Sequence, residues 1–387
     1  MSTKPKLRLM YKKIVVASDS FKGSLTSLQV AQNVERAVLE DCPSCEVVKV
    51  NVADGGEGTM DALQQTLGGR KVTLAVSDPL GRPVDASYVI LDDGLTAVLE
   101  MSAASGLPLL TPEERNPSKT STMGTGELIR DAIAHGCRKF LVGIGGSATN
   151  DAGMGMLHAL GYRFMDAEGN QLPPVGGSMI RVASIDASAV DPVLSEVEFV
   201  VACDVTAPLY GLSGAAYVFA PQKGADAAMV KALDEGLRHF AVVSAVAMGY
   251  DYATMEGSGA AGGLGYAFRQ FLGARLERGV EMVLDAIHFD DMIRGADLVI
   301  TGEGRVDSQT LTGKTPYGVA QRAQRQGIPV VAIGGSVAID QHQAQLAGFR
   351  DALQVTPAGM PLQEAMKPET AAENVYQTIK TLLKKYE

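Results

Sequence analysis

The chain has 387 residues, of which 46% are hydrophobic and 20% are charged, proportions typical of a folded globular protein rather than a disordered one. Acidic residues outnumber basic ones by 44 to 34, a net charge of −10, which argues against a nucleic-acid partner because such proteins usually carry a basic excess. No run of about 18 apolar residues is present, so we expect no membrane-spanning helix.

The four cysteines are few enough to fit a reducing compartment, and we expect a cytoplasmic protein. Residues 1–11 are rich in basic side chains but lack the apolar stretch of a signal peptide, so we predict an extension outside the fold.

The first elements alternate between apolar strands and amphipathic helices. The pattern predicts a strand over residues 13–18, a helix over 27–40, a second strand over 47–52 and a helix ending near residue 67. A βαβα start of this kind favours a parallel sheet covered by helices.

The middle of the chain has a different pattern. Residues 70–100 contain short alternating strands separated by turn sequences, which favours antiparallel pairing. Further along we predict a helix over 126–134, strands over 140–143 and 199–202, and a loop-rich stretch over 168–196. From about residue 295 the first pattern returns, with strands predicted over 298–300 and 330–333 and a helix over 318–326.

These patterns predict an α/β chain with two domains. Residues 12–75 and 295–387 form a Rossmann-like domain with a doubly wound parallel sheet, and residues 76–294 form a mixed α/β domain inserted in it.

Polar loops directly follow several of the apolar strands. In open α/β sheets ligands bind outside the carboxyl ends of the strands, and helix N-termini there attract anions. Glycine, at 43 residues, is concentrated in these loops and in 257–265, which predicts backbone that approaches phosphates closely. In the loop after residue 143, backbone and hydroxyl donors able to approach a phosphate come from Gly145, Gly146, Ser147 and Thr149.

Two nucleotide-binding patterns are nearly present. Residues 308–315 lack the first glycine of a P-loop, and residues 143–148 approach the dinucleotide fingerprint. The second pattern keeps a nicotinamide-dependent oxidoreductase open as an alternative, although no acidic residue ends the next strand as that fold requires.

The same loops carry many charged side chains. Their carboxylates are Asp19, Asp54, Glu57, Asp151, Asp204, Glu303 and Asp307, and their candidate cations are Lys22, Lys223, Arg305 and Lys314. Any one acidic residue could be only a helix cap or a turn residue. Several of them beside glycines favour phosphoryl transfer, which needs carboxylates for Mg²⁺ and cations for phosphate.

Six segments together resemble the bacterial type I glycerate kinase family, and the resemblance runs from about residue 12 to the C-terminus. The segments are ASDSFKGSL (17–25), VADGGEGT (52–59), GIGGSATND (143–151), ACDVT (202–206), PQKGA (221–225) and ITGEGRVDSQ (300–309). Two small departures are Ser18, where members often have proline, and Gly23, where some have glutamate.

The resemblance implies an enzyme that phosphorylates D-glycerate with ATP and Mg²⁺, usually giving 2-phosphoglycerate. Alternatives are the same kinase forming 3-phosphoglycerate, an NAD(P)-dependent oxidoreductase of small hydroxy acids, and a sugar-acid sensor on a kinase fold. D-glycerate is the expected small-molecule partner, and the oligomeric state is left open.

We assign provisional roles on this basis. Lys22 and Lys223 are predicted to offset phosphate charge, and Arg305 to clamp the glycerate carboxylate. Catalytic or Mg²⁺-binding carboxylates are predicted to be Asp54, Asp204 and Glu303. Further predicted binding residues, besides those of the Gly145 loop, are Asp19, Gly55, Gly56, Glu57, Asn150 and Asp307.

Overall fold

The computed structural model describes residues 11–56 and 58–385. Its strands are β1 (Lys13–Ser18), β2 (Glu46–Asn51), β3 (Arg70–Ser77), β4 (Pro83–Ile90), β5 (Thr96–Glu100), β6 (Lys139–Gly143), β7 (Arg163–Met165), β8 (Ser184–Asp186), β9 (Glu198–Ala202), β10 (Arg275–Glu277), β11 (Leu298–Val306), β12 (Val330–Val337) and β13 (Asp351–Gln354).

Its α-helices are α1 (Ser27–Asp41), α2 (Thr59–Leu67), α3 (Ser102–Ser105), α4 (Met123–Ala134), α5 (Met154–Ala159), α6 (Ala215–Phe219), α7 (Ala227–Met248), α8 (Ala260–Leu272), α9 (Gly279–Ala286), α10 (Phe289–Met292), α11 (Thr315–Arg325), α12 (Gln341–Leu346), α13 (Leu362–Ala365) and α14 (Pro368–Lys385). Among the described residues, no helix is long and apolar enough to cross a membrane.

The chain divides into two compact units, residues up to 54 together with 283 onwards, and residues 55–282. The first unit contains a five-stranded sheet in the order β13-β12-β11-β1-β2, and every neighbouring pair is parallel. The predicted α/β class with a Rossmann-like parallel sheet is thereby confirmed. Helix α2 and strand β3 lie in the second unit, whereas the prediction placed them with the first domain.

Helix α1 shows how local sequence and burial act together in the first unit. Thr26 caps it by accepting a hydrogen bond from the Gln29 amide at 3.2 Å, and the Gln29 side chain accepts one from the Thr26 amide at 2.9 Å. The helix buries Val30, Val34 and Val38 at helical spacing and packs on β1, β2 and α14. Each fully buried valine stabilises the unit by about 1.5–3 kcal/mol relative to an exposed one.

The second unit contains a six-stranded mixed sheet in the order β10-β9-β6-β5-β4-β3. Strands β3, β4 and β5 pair antiparallel, as the alternating pattern of residues 70–100 predicts, while the other pairs are parallel. Its core includes a cluster of aromatic rings: the Phe140 and Phe199 rings stack at 5.0 Å, and the Phe268 ring lies 5.7 Å from that of Phe199.

Two strands of the first unit run beyond their predicted ends. Strand β11 continues to Val306 and β12 to Val337, so the predicted loops over 301–307 and 334–336 are mostly strand. Pairing persists because ladder bonds need only backbone groups, and Glu303 pairs with Gly334 and Arg305 with Ser336. Charged side chains that suggested a loop are therefore fixed on a strand end.

The glycine-rich segment 257–265 packs closely against its own unit. Ala261, Gly262 and Gly263 have φ values of 51°, 69° and 93°, so regular helix in α8 begins after them. A Cβ on Gly262 would lie 2.1 Å from the Thr149 carbonyl oxygen. This glycine therefore allows two backbone segments to touch, and it supports the loop that contains Thr149.

We expect Gly262→Ala to lower the free energy of unfolding by at least about 3 kcal/mol, because it adds a clash to an unfavourable φ. Gly273→Ala is the matched control, since Gly273 has φ +63° but open space around its Cβ position, and should cost about 1 kcal/mol. Urea denaturation of the two variants measures the difference. Equal losses would contradict the close approach.

Candidate functional site

The strand order of the first unit reverses between β1 and β11. The chain proceeds from β1 outwards to β2, and from β11 outwards through β12 to β13. The Asp19 amide donates to the Gly302 carbonyl at 2.8 Å, which places the ends of the two strands side by side. Such a reversal leaves a crevice at the carboxyl ends of the strands, the usual ligand position in open α/β sheets.

A cavity of about 540 Å³ lies at this point, within the range of small-molecule sites. Most of the predicted residues of the first unit meet here. The charged residues that line it are Asp19, Lys22, Asp54, Glu303, Arg305, Asp307 and Lys314. Strands remote in sequence therefore deliver acids and cations to one cavity, as phosphoryl transfer requires.

Among the described acidic residues of this cavity, Asp19 has the carboxyl group whose pKa is shifted most. Burial, together with the nearby charge of Asp54, raises its pKa from 3.8 to about 6, although the Ser20 amide and the charge of Lys22 oppose the shift. The Ser20 amide donates to Asp19 Oδ1 at 2.6 Å, and Thr315 Oγ1 lies 3.4 Å from Oδ2. A carboxyl group of this kind can exchange a proton near neutral pH.

Glu303 is held in place by its neighbours. Its Oε1 accepts a hydrogen bond from Thr310 Oγ1 at 2.5 Å, and Lys314 Nζ lies 3.6 Å from its Oε2. Burial raises the pKa of the Glu303 carboxyl, while Thr310 and Lys314 act in the opposite direction. Lys314, which belongs to the incomplete P-loop pattern, thus lies beside the acids at the start of α11.

Arg305 and Asp307 form an ion pair, with Arg305 Nε 3.2 Å from Asp307 Oδ2. The arginine side chain is 68% exposed. Within the described residues its terminal guanidinium nitrogens make no hydrogen bond or ion pair, so one edge can still contact a carboxylate. Asp307 Oδ1 also accepts from the Gln309 amide at 2.9 Å.

In the second unit Lys223 is buried and bonded to the predicted anion-binding loop. Its Nζ donates to Ser147 Oγ at 2.7 Å and to the Thr149 carbonyl at 2.6 Å. Only 2% of the residue is exposed. These bonds fix Lys223 against the loop, and its contact with phosphate stays a prediction.

Asp151 fixes the end of the same loop. Fully buried, it accepts hydrogen bonds from the amide and hydroxyl of Thr122, both at 2.8 Å, and from the amides of Gly153 and Gly155, both at 3.1 Å. Burial raises the pKa of its carboxyl against these four bonds. These four contacts give Asp151 a structural role in the loop.

The other predicted residues of the second unit occupy varied environments. Gly145 and Gly146 are exposed, whereas Gly55 is packed so that a Cβ would lie 2.4 Å from Gly279 Cα. Asp204 is exposed and accepts from the Gly279 amide at 3.2 Å. Gly56 is partly buried, and Glu57 lies outside the described residues.

Thr149 and Asn150 carry buried polar atoms that find no partner in the part of the chain described. These are Thr149 Oγ1 and both side-chain amide atoms of Asn150, and both residues are 0% exposed. An unpaired buried polar group costs about 1–3 kcal/mol. The loop therefore retains hydrogen-bonding capacity that the fold itself does not use.

The described residues contain no group of three or more histidine, cysteine or acidic side chains arranged to hold a metal ion. Asp54 and Glu303 do line one cavity, while Asp204 belongs to the other unit. Mg²⁺ usually takes one or two protein carboxylates and completes its shell with phosphate oxygens and water. The pair in the cavity fits an ion that arrives with a nucleotide.

Sequence patterns leave part of the cavity lining unassigned. An apolar wall from residues 355–371 and the side chain of Asn374 also line it, and they belong to no recognisable motif. Only their position around the cavity of the folded chain identifies them.

We expect the Lys223 amine to titrate near neutral pH, because burial lowers its pKa from 10.5 to about 7 even though the charge of Asp151 opposes the shift. Between these pH values unfolding takes up a proton, so the contribution of this site to stability rises with pH. NMR of lysines labelled with ¹³C at Cε should show one resonance with a midpoint near pH 7 that is missing in Lys223→Met. Lys231→Met, whose side chain is 74% exposed, should keep it. Titration of every lysine above about pH 9 would contradict the shift.

Comparisons with known proteins cover almost the whole chain. A sequence model of the glycerate kinase family matches residues 14–387. The chain is 46% identical over 370 residues to a protein named glycerate kinase from Bacillus subtilis (strain 168), covering 96% of each chain. It is 45% identical over 355 residues to glycerate 2-kinase of Escherichia coli (strain K12), covering 92% of this chain and 93% of that one.

A solved structure gives the same result. A crystal structure assigned to glycerate kinase 2 from Salmonella typhimurium LT2 matches with a TM-score of 0.89 and 44% identity, covering 97% of this chain and 98% of that one. These matches confirm the resemblance seen in the six sequence segments. The chain belongs to the glycerate kinase family of enzymes.

Proposed function

We propose that the chain transfers the γ-phosphoryl group of ATP to the 2-hydroxyl of D-glycerate, giving 2-phosphoglycerate and ADP. The observation that carries the proposal is the cavity between the ends of β1 and β11, where Asp19, Lys22, Asp54, Glu303 and Lys314 meet. Family membership supports a kinase and argues against the oxidoreductase alternative. The four free cysteines support a cytoplasmic location.

The cations of the cavity would bind phosphate oxygens. Lys22 and Lys314 both line it, and a γ-phosphoryl group in transfer spreads its charge over oxygens that ammonium groups can contact. Mg²⁺, bound through Asp54 and Glu303 together with the nucleotide, would neutralise further phosphate charge.

The acceptor hydroxyl must lose its proton during transfer, and we assign the proton acceptor to Asp19. This carboxylate follows β1 directly and lies partly buried in the cavity. Arg305 keeps its predicted role as the group that binds the glycerate carboxylate through its free guanidinium edge. These assignments give one task to every charged group of the cavity except Asp307, which forms an ion pair with Arg305.

In the second unit we propose that the Gly145–Gly146–Ser147 turn binds an anionic group. Its support is the two exposed glycines and the fixed Ser147 hydroxyl, together with the unpaired polar atoms of Thr149 and Asn150. Lys223 acts there as a positioning residue. Asp204 is kept as a proposed catalytic carboxylate.

The overall reaction is tested by coupled ADP release with D-glycerate, L-glycerate and hydroxypyruvate. We expect turnover with D-glycerate, its loss on addition of EDTA, and recovery with excess Mg²⁺. Phosphorus NMR should identify the product as 2-phosphoglycerate. Absence of ADP release with all three compounds would defeat the kinase proposal, and 3-phosphoglycerate would correct its regiochemistry.

The residue roles are tested by Lys22→Ala, Asp19→Asn and Asp204→Asn. We expect each to lower kcat by about 100-fold or more, because each removes charge stabilisation or proton transfer. Lys12→Ala is the matched control, since Lys12 is an exposed lysine of the same unit that does not line the cavity. Near wild-type turnover in any of the three, with an unchanged thermal midpoint, would remove that residue from the mechanism.

A further inference from the structure

The cavity of the first unit contains apolar side chains that the roles proposed above do not use. Apart from Phe21, they come from one segment and are Val355, Met360, Leu362, Ala365, Met366 and Ala371. Leu362 is 73% exposed and Met366 is 39% exposed. Large apolar side chains exposed inside a cavity are typical of a surface that a ligand covers.

D-glycerate does not account for this wall. It is a three-carbon acid whose carboxylate and hydroxyl groups leave little apolar surface, so the charged residues suffice to bind it. A nucleotide differs because it joins a charged phosphate chain to a flat, mostly apolar purine. One cavity lined by both charged and apolar groups fits such a molecule, and thioether groups such as those of Met360 and Met366 pack well on aromatic rings.

Asn374 on α14 adds a polar group to this wall. Its Nδ2 donates to Met360 Sδ at 3.5 Å, which orients the side-chain amide. Within the described residues its Oδ1 accepts no hydrogen bond. An oriented acceptor beside an apolar surface is the arrangement by which pockets choose between similar ligands.

We propose that Met360, Leu362 and Met366 bind the purine of the nucleotide and that Asn374 Oδ1 accepts a hydrogen bond from its 6-amino group. The inference rests on the proposed function. Adenine offers this donor, whereas guanine presents a carbonyl at the same position, so two acceptors would face each other. Rotating the Asn374 amide to serve guanine would give up the contact with Met360. The site therefore selects ATP over GTP.

The first test compares kcat/KM for ATP and GTP in Asn374→Ala and Asn374→Asp. We expect Asn374→Ala to raise KM for ATP about tenfold and to reduce the ATP preference by a similar factor, with KM for D-glycerate and kcat unchanged. Asn374→Asp retains an acceptor and should keep the preference. The control Asn33→Ala removes a part-buried asparagine of α1 that also donates one side-chain hydrogen bond and does not line the cavity.

The second test concerns the apolar wall. Leu362→Ala should raise KM for ATP and GTP alike, because it removes packing that does not distinguish the bases. Leu346→Ala is its control, since Leu346 is 74% exposed on α12 in the same unit and should leave both KM values unchanged.

The outcomes separate this inference from the proposed function. No turnover by the wild-type enzyme with any nucleoside triphosphate and D-glycerate would defeat the proposed function. Wild-type turnover with ATP, combined with an unaltered ATP-to-GTP ratio in Asn374→Ala, would overturn the role of Asn374. Equal KM values in Leu362→Ala and Leu346→Ala would overturn the role of the wall.

Discussion

The parallel pairing of β1 with β11 is the interaction on which the candidate site depends. Thr301 Oγ1 donates to the Ala17 carbonyl across a sequence separation of 284 residues, at 2.7 Å, and the Asp19 amide donates to Gly302. Closing so long a loop has an entropic cost that grows only slowly with length, and most of the intervening residues, 55–282, form their own compact unit. As a result of this pairing, Asp19 and Glu303 line the same cavity at the strand ends.

Charge in the interior of the second unit has a structural use. Lys223 and Asp151 are both buried, and their hydrogen bonds go to backbone and hydroxyl groups of residues 147–155 and, for Asp151, of Thr122. Buried charges are costly to desolvate, and removing one partner of such an arrangement is more harmful than the net worth of the contact. The loop between β6 and α5 is therefore held by polar contacts rather than by apolar packing.

The glycines divide into two groups with different physical reasons. Gly145 and Gly146 are exposed, as the proposed anion-binding turn needs. Gly55 and Gly262 instead touch other backbone of their own unit, where any Cβ would clash. Glycine enrichment alone does not separate these cases, because both need a residue without a side chain.

From the sequence alone the α/β class, the parallel sheet and the family could be predicted, because strand and helix periodicity and six motifs are local features of the chain. The acidic and basic residues after β1 and along β11 could also be predicted as candidate site residues, because they belong to these motifs. The burial of Lys223, the structural role of Asp151 and the extension of β11 to Val306 could not be read in this way. Each depends on which distant backbone lies alongside. The apolar wall with Asn374 is likewise a product of tertiary structure, because segments 355–371 and 19–24 form one cavity only after the sheet has assembled.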